Sequence, residues 1–111
     1  MENNLPDIGL QTNGEVSFLH GNAILCILAE GSYSHIVLRD KRRITLSRKL
    51  GELEFTLPDY FLRIHHSHIV NLHHVVKYVK DGTGYVVLSN GEELKVSKLR
   101  RKALMERYRI L

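Results

Sequence analysis

The chain has 111 residues, of which 43% are hydrophobic and 25% charged, so we expect a single globular domain with its own hydrophobic core. Its single cysteine excludes an intramolecular disulfide and fits a reducing cytoplasm, and its formal charge of +4 favours a polyanionic partner. No apolar stretch approaches the roughly 20 residues that a membrane helix needs, and the N-terminus does not have the pattern of a secretory signal.

The charge is distributed unevenly along the chain. Residues 1–34 contain four acids and no lysine or arginine, whereas all sixteen lysines and arginines lie at or after Arg39, together with the other eight acids. The later part therefore carries a net charge of about +8. A basic surface on a small domain is typical of proteins that bind nucleic acid, although many basic proteins bind none specifically.

In chain order, the sequence predicts a polar tail followed by short strands. Residues 1–7 are polar, contain a proline and are expected to form a flexible tail before a domain that spans residues 8–111. The apolar run 23–28 is expected to bury Cys26 in a strand. Short apolar or alternating runs between turn residues predict these strands: 8–12, 15–20, 23–28, 33–39, 42–45, 61–64, 69–72, 74–80, 85–89 and 92–96.

Turn residues separate several of these strands. Asn13-Gly14 and Asp40-Lys41 are expected to close tight turns, and the glycine-rich residues 81–84 are expected to form a hairpin loop. Asn90-Gly91 predicts a type I′ turn between the last two strands, because both of its positions tolerate a positive φ.

Two short helices are also predicted. The first is indicated by leucines at the spacing of one helical face, namely Leu46, Leu50, Leu53 and Leu57. Ser47 is a candidate cap for its start, and Pro58 marks its end. The second covers residues 98–108 after the candidate cap Ser97, with an apolar side formed by Leu104, Tyr108 and Leu111. Because few helices are available as crossovers, we expect a mainly β fold of antiparallel hairpins.

Three polar clusters at predicted loops or helix starts contain the candidate binding residues. They are Ser34-His35 with the following Arg39, Lys41, Arg42 and Arg43; the histidine-rich tip 65–68; and the basic segment 97–102. Lysine and arginine suit phosphates, whereas histidine and serine can form hydrogen bonds with phosphates or base edges. A solvated charged surface is the alternative interpretation of each cluster.

The seven histidines raise the question of a metal site. No cysteine or carboxylate accompanies the histidine-rich tip, and no HExxH spacing is present. The nucleophile-elbow motif and the phosphate-binding loop motif are also absent from the sequence. We therefore expect no metal, no cofactor and no enzymatic activity.

Several segments together resemble one known family. Residues 61–71 resemble the F-x-R-I-H-R-S-Y-L-V-N signature of LytTR-type (LytR/AlgR-like) DNA-binding domains. Residues 27–33 are similar to that family's I-x-A-x-G-x-Y motif, 45–50 to its strand-to-helix entry, and 88–98 to its L-x-N-G-x-x-L-x-V-S-R end. The segments occur in the family's order and cover roughly residues 8–108.

The resemblance implies a fold and a function. The fold is mainly β, with stacked short antiparallel sheets and one or two short helices. The partner is duplex DNA, bound through loops in successive major grooves, commonly by two copies on direct repeats in a promoter. Many members are output domains of bacterial two-component response regulators, with an upstream receiver domain or a histidine-kinase pathway. This chain has no room for a receiver domain, so it is either a stand-alone regulator or the output part of a longer protein.

The resemblance also implies which residues contact DNA. Carried over position by position, base contacts fall on His35, His66 and Lys98. His66 stands where Arg or Lys is usual, His68 where Tyr is usual, and Lys98 where Arg is usual, which puts the target sequence in doubt. Phosphate or supporting contacts are expected from Ser34, Arg39, Lys41, Arg42, Ser67, Ser97, Arg100, Arg101 and Lys102.

Two other functions are compatible with the composition. A basic β domain can bind single-stranded nucleic acid by stacking bases on aromatic rings, but three Phe, five Tyr and no Trp are a small supply. A basic face can also bind an acidic protein partner, in which case no preference among DNA sequences is expected.

Overall fold

In the computed structural model, which describes residues 5–111, short strands form three antiparallel sheets. The strands are β1 (Ile8–Thr12), β2 (Glu15–Leu19), β3 (Ile24–Glu30), β4 (Tyr33–Leu38), β5 (Arg43–Leu46), β6 (Phe61–His65), β7 (His68–Asn71), β8 (Val75–Val79), β9 (Tyr85–Leu88) and β10 (Glu93–Lys95). β1 and β2 form a hairpin, the central sheet has the order β5-β4-β3-β7-β6, and the third sheet has the order β10-β9-β8. The expected mainly β, antiparallel fold is confirmed.

The helices are short. Helix α1 covers Leu50–Glu54 and helix α2 covers Arg101–Met105, and three 3₁₀ turns cover Gly21–Ala23, Leu72–His74 and Lys98–Arg100. Within the described residues, no helix is long and apolar enough to cross a membrane.

The central sheet is covered on both faces. Cys26 and Ile27 are neighbours on β3, so their side chains point to opposite faces, and both are fully buried. The face of Ile27 shares a buried cluster with residues of β1 and α1, namely Ile8, Leu10, Leu50 and Leu53. The face of Cys26 shares a second cluster with residues of the third sheet and α2, namely Val86, Leu88, Leu94 and Leu104. The fold is therefore a stack of layers around one central sheet.

The first predicted helix is shorter than the leucine spacing suggested. Leu46 belongs to β5, where it is opposite Ser34, and its buried side chain joins the same cluster as Leu50 and Leu53. One buried leucine at the end of a strand and two on the helix therefore gave the spacing of a single, longer helix. Ser47 does not cap the helix; instead, the backbone N–H of Lys49 donates a hydrogen bond to the Glu52 carboxylate at 3.0 Å.

The C-terminal helix is also shorter than predicted. Residues 98–100 form a 3₁₀ turn and only Arg101–Met105 are α-helical. The Ser97 side chain makes no cap hydrogen bond, and the backbone N–H of Ser97 donates to the carbonyl of Ile64 at 2.8 Å. Of the expected apolar side, Leu104 is buried, whereas Tyr108 and Leu111 are exposed.

Two turn dipeptides of the same sequence adopt different conformations. Asn13 and Gly14 have φ values of 45° and 81°, the pattern of a type I′ turn between β1 and β2. The prediction of a type I′ turn at Asn90-Gly91 is wrong, because only Gly91, with φ of 89°, is in the left-handed region. The Asn90 side chain instead accepts a hydrogen bond from the N–H of Glu92 at 3.0 Å, which holds Asn90 in a local turn of its own.

Asp7 anchors the N-terminal boundary of the domain. The Asp7 carboxylate accepts hydrogen bonds from the Tyr60 hydroxyl at 2.6 Å and from the N–H of Gly21 at 2.7 Å. A Cβ on Gly21 would overlap the Tyr60 hydroxyl, so this close approach requires glycine. Residues 1–4 of the predicted tail lie outside the described residues, and the flexibility of the tail stays a prediction.

Candidate nucleic-acid interface

The strand order brings two turns and one strand end to the same end of the central sheet. β4 and β7 both pair antiparallel with β3, so the β3–β4 turn, the β6–β7 turn and the C-terminal end of β5 lie together. One row across the sheet contains, in order, Thr45, His35, Leu28, His68 and His65. We call this end, which holds His35, His65, His66 and His68, the histidine end.

The first candidate cluster lies on the β3–β4 hairpin. Ser34 is fully buried and its hydroxyl donates to the carbonyl of Arg48 at 2.7 Å, so it can only support the interface. His35 uses both ring nitrogens: Nδ1 lies 2.8 Å from the Thr45 hydroxyl and Nε2 lies 2.6 Å from Oε1 of Glu30. The His35 ring is thus engaged within the protein, and a direct base contact would require it to release a partner.

The histidine-rich tip is the second candidate cluster. His66 is exposed, and its carbonyl accepts a hydrogen bond from Nη2 of Arg63 at 2.6 Å. The rings of His65 and His68 stack with centroids 4.6 Å apart. The N–H of Ser67 donates to Nδ1 of His65 at 3.0 Å, so this nitrogen must be unprotonated. The tip is therefore ordered by its own side chains and leaves His66 exposed.

The environment of His65 favours its neutral form. Burial lowers the pKa of His65, and the positive potential of His68, His66, Lys95 and Arg100 lowers it further. His68 lies against the third sheet, where its Nδ1 is 3.1 Å from the carbonyl of Lys95 and must be the donor. The stacked pair therefore joins the central sheet to β10.

The third candidate cluster meets the histidine end through Ser97. Because the N–H of Ser97 donates to the carbonyl of Ile64, the basic segment begins beside the residue that precedes His65. Lys98, Arg101 and Lys102 are exposed, and Arg100 is half-buried. The structure thus brings the basic segment and the histidine tip together, as a shared binding surface requires.

A carboxylate that sequence analysis did not select orders this junction. Glu54, at the end of α1, lies 3.1 Å from Nη1 of Arg63 and 3.5 Å from Nη1 of Arg100. The Arg63 side chain is only 12% exposed. Arg100 was expected to contact phosphate, and the structure shows that it also helps to fix the basic segment to α1 and β6. Only the fold could reveal this contact, since the three residues are far apart in sequence.

The Arg39–Arg42 turn is not part of the histidine end. It closes β4 and β5 at the opposite end of the central sheet, roughly 20 Å along β4 from the β3–β4 turn. There Asp40 pairs with Arg42 at 2.7 Å, and Lys41 has the positive φ, 75°, that the tight turn requires. The structure therefore separates Arg39, Lys41 and Arg42 from the other candidate residues.

Three exposed basic residues at the histidine end were missed. Arg48 and Lys49 follow β5, and Lys95 is the last residue of β10. Arg48 also pairs with Glu52 at 3.2 Å. The sequence showed only that these residues lie near the ends of predicted strands. It did not show at which end of the sheet those strand ends lie.

Within residues 5–111, no three histidine, cysteine or acidic side chains are grouped so that they could hold a metal ion. The only cysteine of the chain, Cys26, is buried, and desolvation raises its pKa to about 12.

Comparison with known families assigns the chain that carries this surface to a family. The family described as the LytTr DNA-binding domain matches residues 14–109. The chain belongs to the LytTR family. The LytTR match includes both turns of the histidine end and the basic segment, but it begins after β1. The expected family and its DNA-binding character are confirmed.

The LytTR fold is confirmed by a solved structure. The LytTr DNA-binding domain of a protein from Bacillus cereus, described as a methyl-accepting/DNA response regulator, superposes with a TM-score of 0.75 over 91% of this chain and 94% of that one. The two sequences are 23% identical, so the likeness establishes the fold. Among curated proteins, none matches this sequence.

Proposed function

We propose that this LytTR domain binds specific sequences in duplex DNA with its histidine end and thereby regulates transcription in a bacterium. The observation that carries the proposal is that the β3–β4 turn, the histidine tip and the basic segment, distant in sequence, lie at one end of the central sheet. The match to a DNA-binding domain family over residues 14–109, which include all three segments, supports the proposal.

The side chains at the histidine end have different roles. His66 and Lys98 are exposed and free to enter a major groove, and the β3–β4 hairpin, which contains His35, enters beside them. A good base contact discriminates by about 1–3 kcal/mol. Phosphate contacts come from Arg100, Arg101 and Lys102. Ser67 and Ser97 support the loops through their backbone groups, because the N–H of each one is used within the protein.

Two further features of the proposal come from the family. Two copies would bind direct repeats in a promoter, and the domain would serve a two-component pathway as the output of a response regulator. The match to a domain from a response regulator supports this role.

Selection from a random duplex library at roughly physiological salt tests the proposal. We expect enrichment of a short motif, present as spaced direct repeats. A double variant, His66→Ala with Lys98→Ala, should fold with an unchanged circular dichroism spectrum and lose the motif, since both side chains are exposed. Retention of DNA without an enriched motif would contradict specific recognition and leave only electrostatic attraction.

Single-strand binding receives no support from the described surface. Its large exposed aromatic side chains are Phe18 on β2, Tyr33 on β4, Phe55 after α1 and Tyr108 near the C-terminus. They lie on different elements and do not form one stacking platform. Tighter binding of single strands than of duplex in a competition assay would reverse this conclusion.

A further inference from the structure

The β3–β4 turn presents a carboxylate, not an imidazole, at the histidine end. The side chain of Glu30 is 79% exposed, whereas that of His35 is 18% exposed. One carboxylate oxygen of Glu30, Oε1, is held by His35 at 2.6 Å. The other oxygen, Oε2, has no hydrogen-bond partner within residues 5–111 and is available as an acceptor.

The strand register fixes this carboxylate. Glu30 is opposite Tyr33 across the two-residue turn Gly31-Ser32, and His35 lies two residues further along β4 on the same face. The opposite ring nitrogen of His35 is anchored by Thr45 of β5 at 2.8 Å. The imidazole is thus held between two partners and acts as a positioning residue for Glu30.

The charge of Glu30 differs from that of the surface around it. The other acids near this end, Glu52 and Glu54, each pair with an arginine. Glu30 pairs only with a histidine, so its charge remains unfavourable next to DNA phosphates. In a major groove, the groups that attract a carboxylate are exocyclic amino groups, and the N4 amino group of cytosine is its usual partner.

We propose that Glu30, positioned by His35, accepts a hydrogen bond from the N4 amino group of a cytosine in the bound site. This inference rests on the proposed function and names one element of its specificity. His35, which the family pattern places in the base-contacting loop, then acts on specificity through Glu30 and not by direct contact. Glu30 favours cytosine at one position of the motif and contributes nothing to phosphate affinity.

The test is the isosteric variant Glu30→Gln, compared with the wild-type chain by selection from the same random duplex library. We expect one position to lose its cytosine preference, by roughly 5- to 100-fold in relative affinity, and to shift towards adenine, which glutamine contacts bidentately. All other positions of the motif should keep their preferences. Glu92→Gln is the matched control, because Glu92 is exposed, loses the same charge and lies in the β9–β10 turn away from the histidine end.

A second variant separates positioning from stability. His35→Ala should reduce the same cytosine preference while the preferences at other positions persist, and a thermal melt should show whether it remains folded at the assay temperature. Restoration by His35→Gln, which can still donate to Glu30, would support positioning. An unchanged motif in Glu30→Gln would overturn the inference while leaving specific DNA binding intact. Absence of any motif in the wild-type chain would instead overturn the proposed function.

Discussion

At the residue scale, Asn71 satisfies backbone groups that would otherwise be buried without partners. Its amide is fully buried, donates to the carbonyls of Ile24 at 3.0 Å and Gly21 at 3.3 Å, and accepts from the N–H of His73 at 2.9 Å. Asn71 therefore has a structural role. It also connects β7 to the 3₁₀ turn before β3, a link between residues about fifty positions apart.

We expect Asn71→Ala to lower the free energy of unfolding by about 3 kcal/mol, because it leaves buried carbonyl and N–H groups unpaired. Urea denaturation followed by circular dichroism measures the change. Asn90→Ala is the control: Asn90 is exposed, and its single turn hydrogen bond should be worth about 0.5 kcal/mol or less. Equal losses in the two variants would contradict this account of Asn71.

Cys26 should be unreactive in the folded protein. It is fully buried in β3, and desolvation raises its pKa to about 12, so almost no thiolate is present near neutral pH. A thiol reagent such as Ellman's reagent should modify it only at the rate of unfolding, and rapidly in denaturant. Fast modification under native conditions would show that the central sheet opens locally without global unfolding.

At the element scale, the β6–β7 turn should respond to acid. The pKa of His65 is lowered, chiefly by burial, so the unfolded chain takes up a proton at a higher pH than the folded chain. The stabilisation is complete above the unfolded value of about 6.5 and is lost as the pH falls through the lower folded value. Protonation would also remove the acceptor for the N–H of Ser67.

Unfolding measurements between pH 8 and pH 5 test this expectation. The difference in free energy of unfolding between the wild-type chain and His65→Gln should decrease as the pH falls, because the variant cannot bind the proton. His20→Gln, at an exposed histidine outside the turn, should follow the wild-type curve. A His65 resonance that titrates above pH 6.5 in the folded protein would show that the stacked pair does not favour the neutral ring.

The helices show where sequence reasoning is weakest at this scale. Leu46, on a strand end, is buried in the same cluster as the leucines of α1. The leucine spacing therefore predicted a helix about one turn too long at its start. Likewise, Asn13-Gly14 forms a two-residue loop, whereas Asn90-Gly91 belongs to a three-residue loop closed by Leu88 and Glu92, and the dipeptide does not reveal this difference. Strand positions were predicted well because each strand is a short apolar run between turn residues.

At the scale of the whole molecule, the position of the basic residues should determine the salt dependence of DNA binding. The pair Arg101 and Lys102 begins α2 next to the histidine end, whereas Arg39 and Lys41 lie at the opposite end of the central sheet. Each phosphate contact adds about 0.9 to the slope of log affinity against log salt concentration.

We therefore expect Arg101→Ala with Lys102→Ala to reduce that slope by about 2. The charge-matched pair Arg39→Ala with Lys41→Ala should leave it nearly unchanged, because these residues lie at the end of the central sheet opposite the proposed interface. Fluorescence anisotropy between low and moderate salt measures both. A comparable loss of slope in the second pair would mean that the Arg39–Arg42 turn also contacts phosphates and that the duplex extends along the strands.

The sequence by itself determined the family, the antiparallel β class, most strands and the burial of Cys26. These depend on neighbouring residues, on local periodicity and on motifs that lie within a few positions of each other. Only the tertiary structure decided which polar clusters meet. It joined the basic segment to the histidine tip, separated the Arg39–Arg42 turn from both, and engaged His35 between Glu30 and Thr45. The physical reason is that strand order and register join residues far apart in the chain, and no local pattern records those pairings.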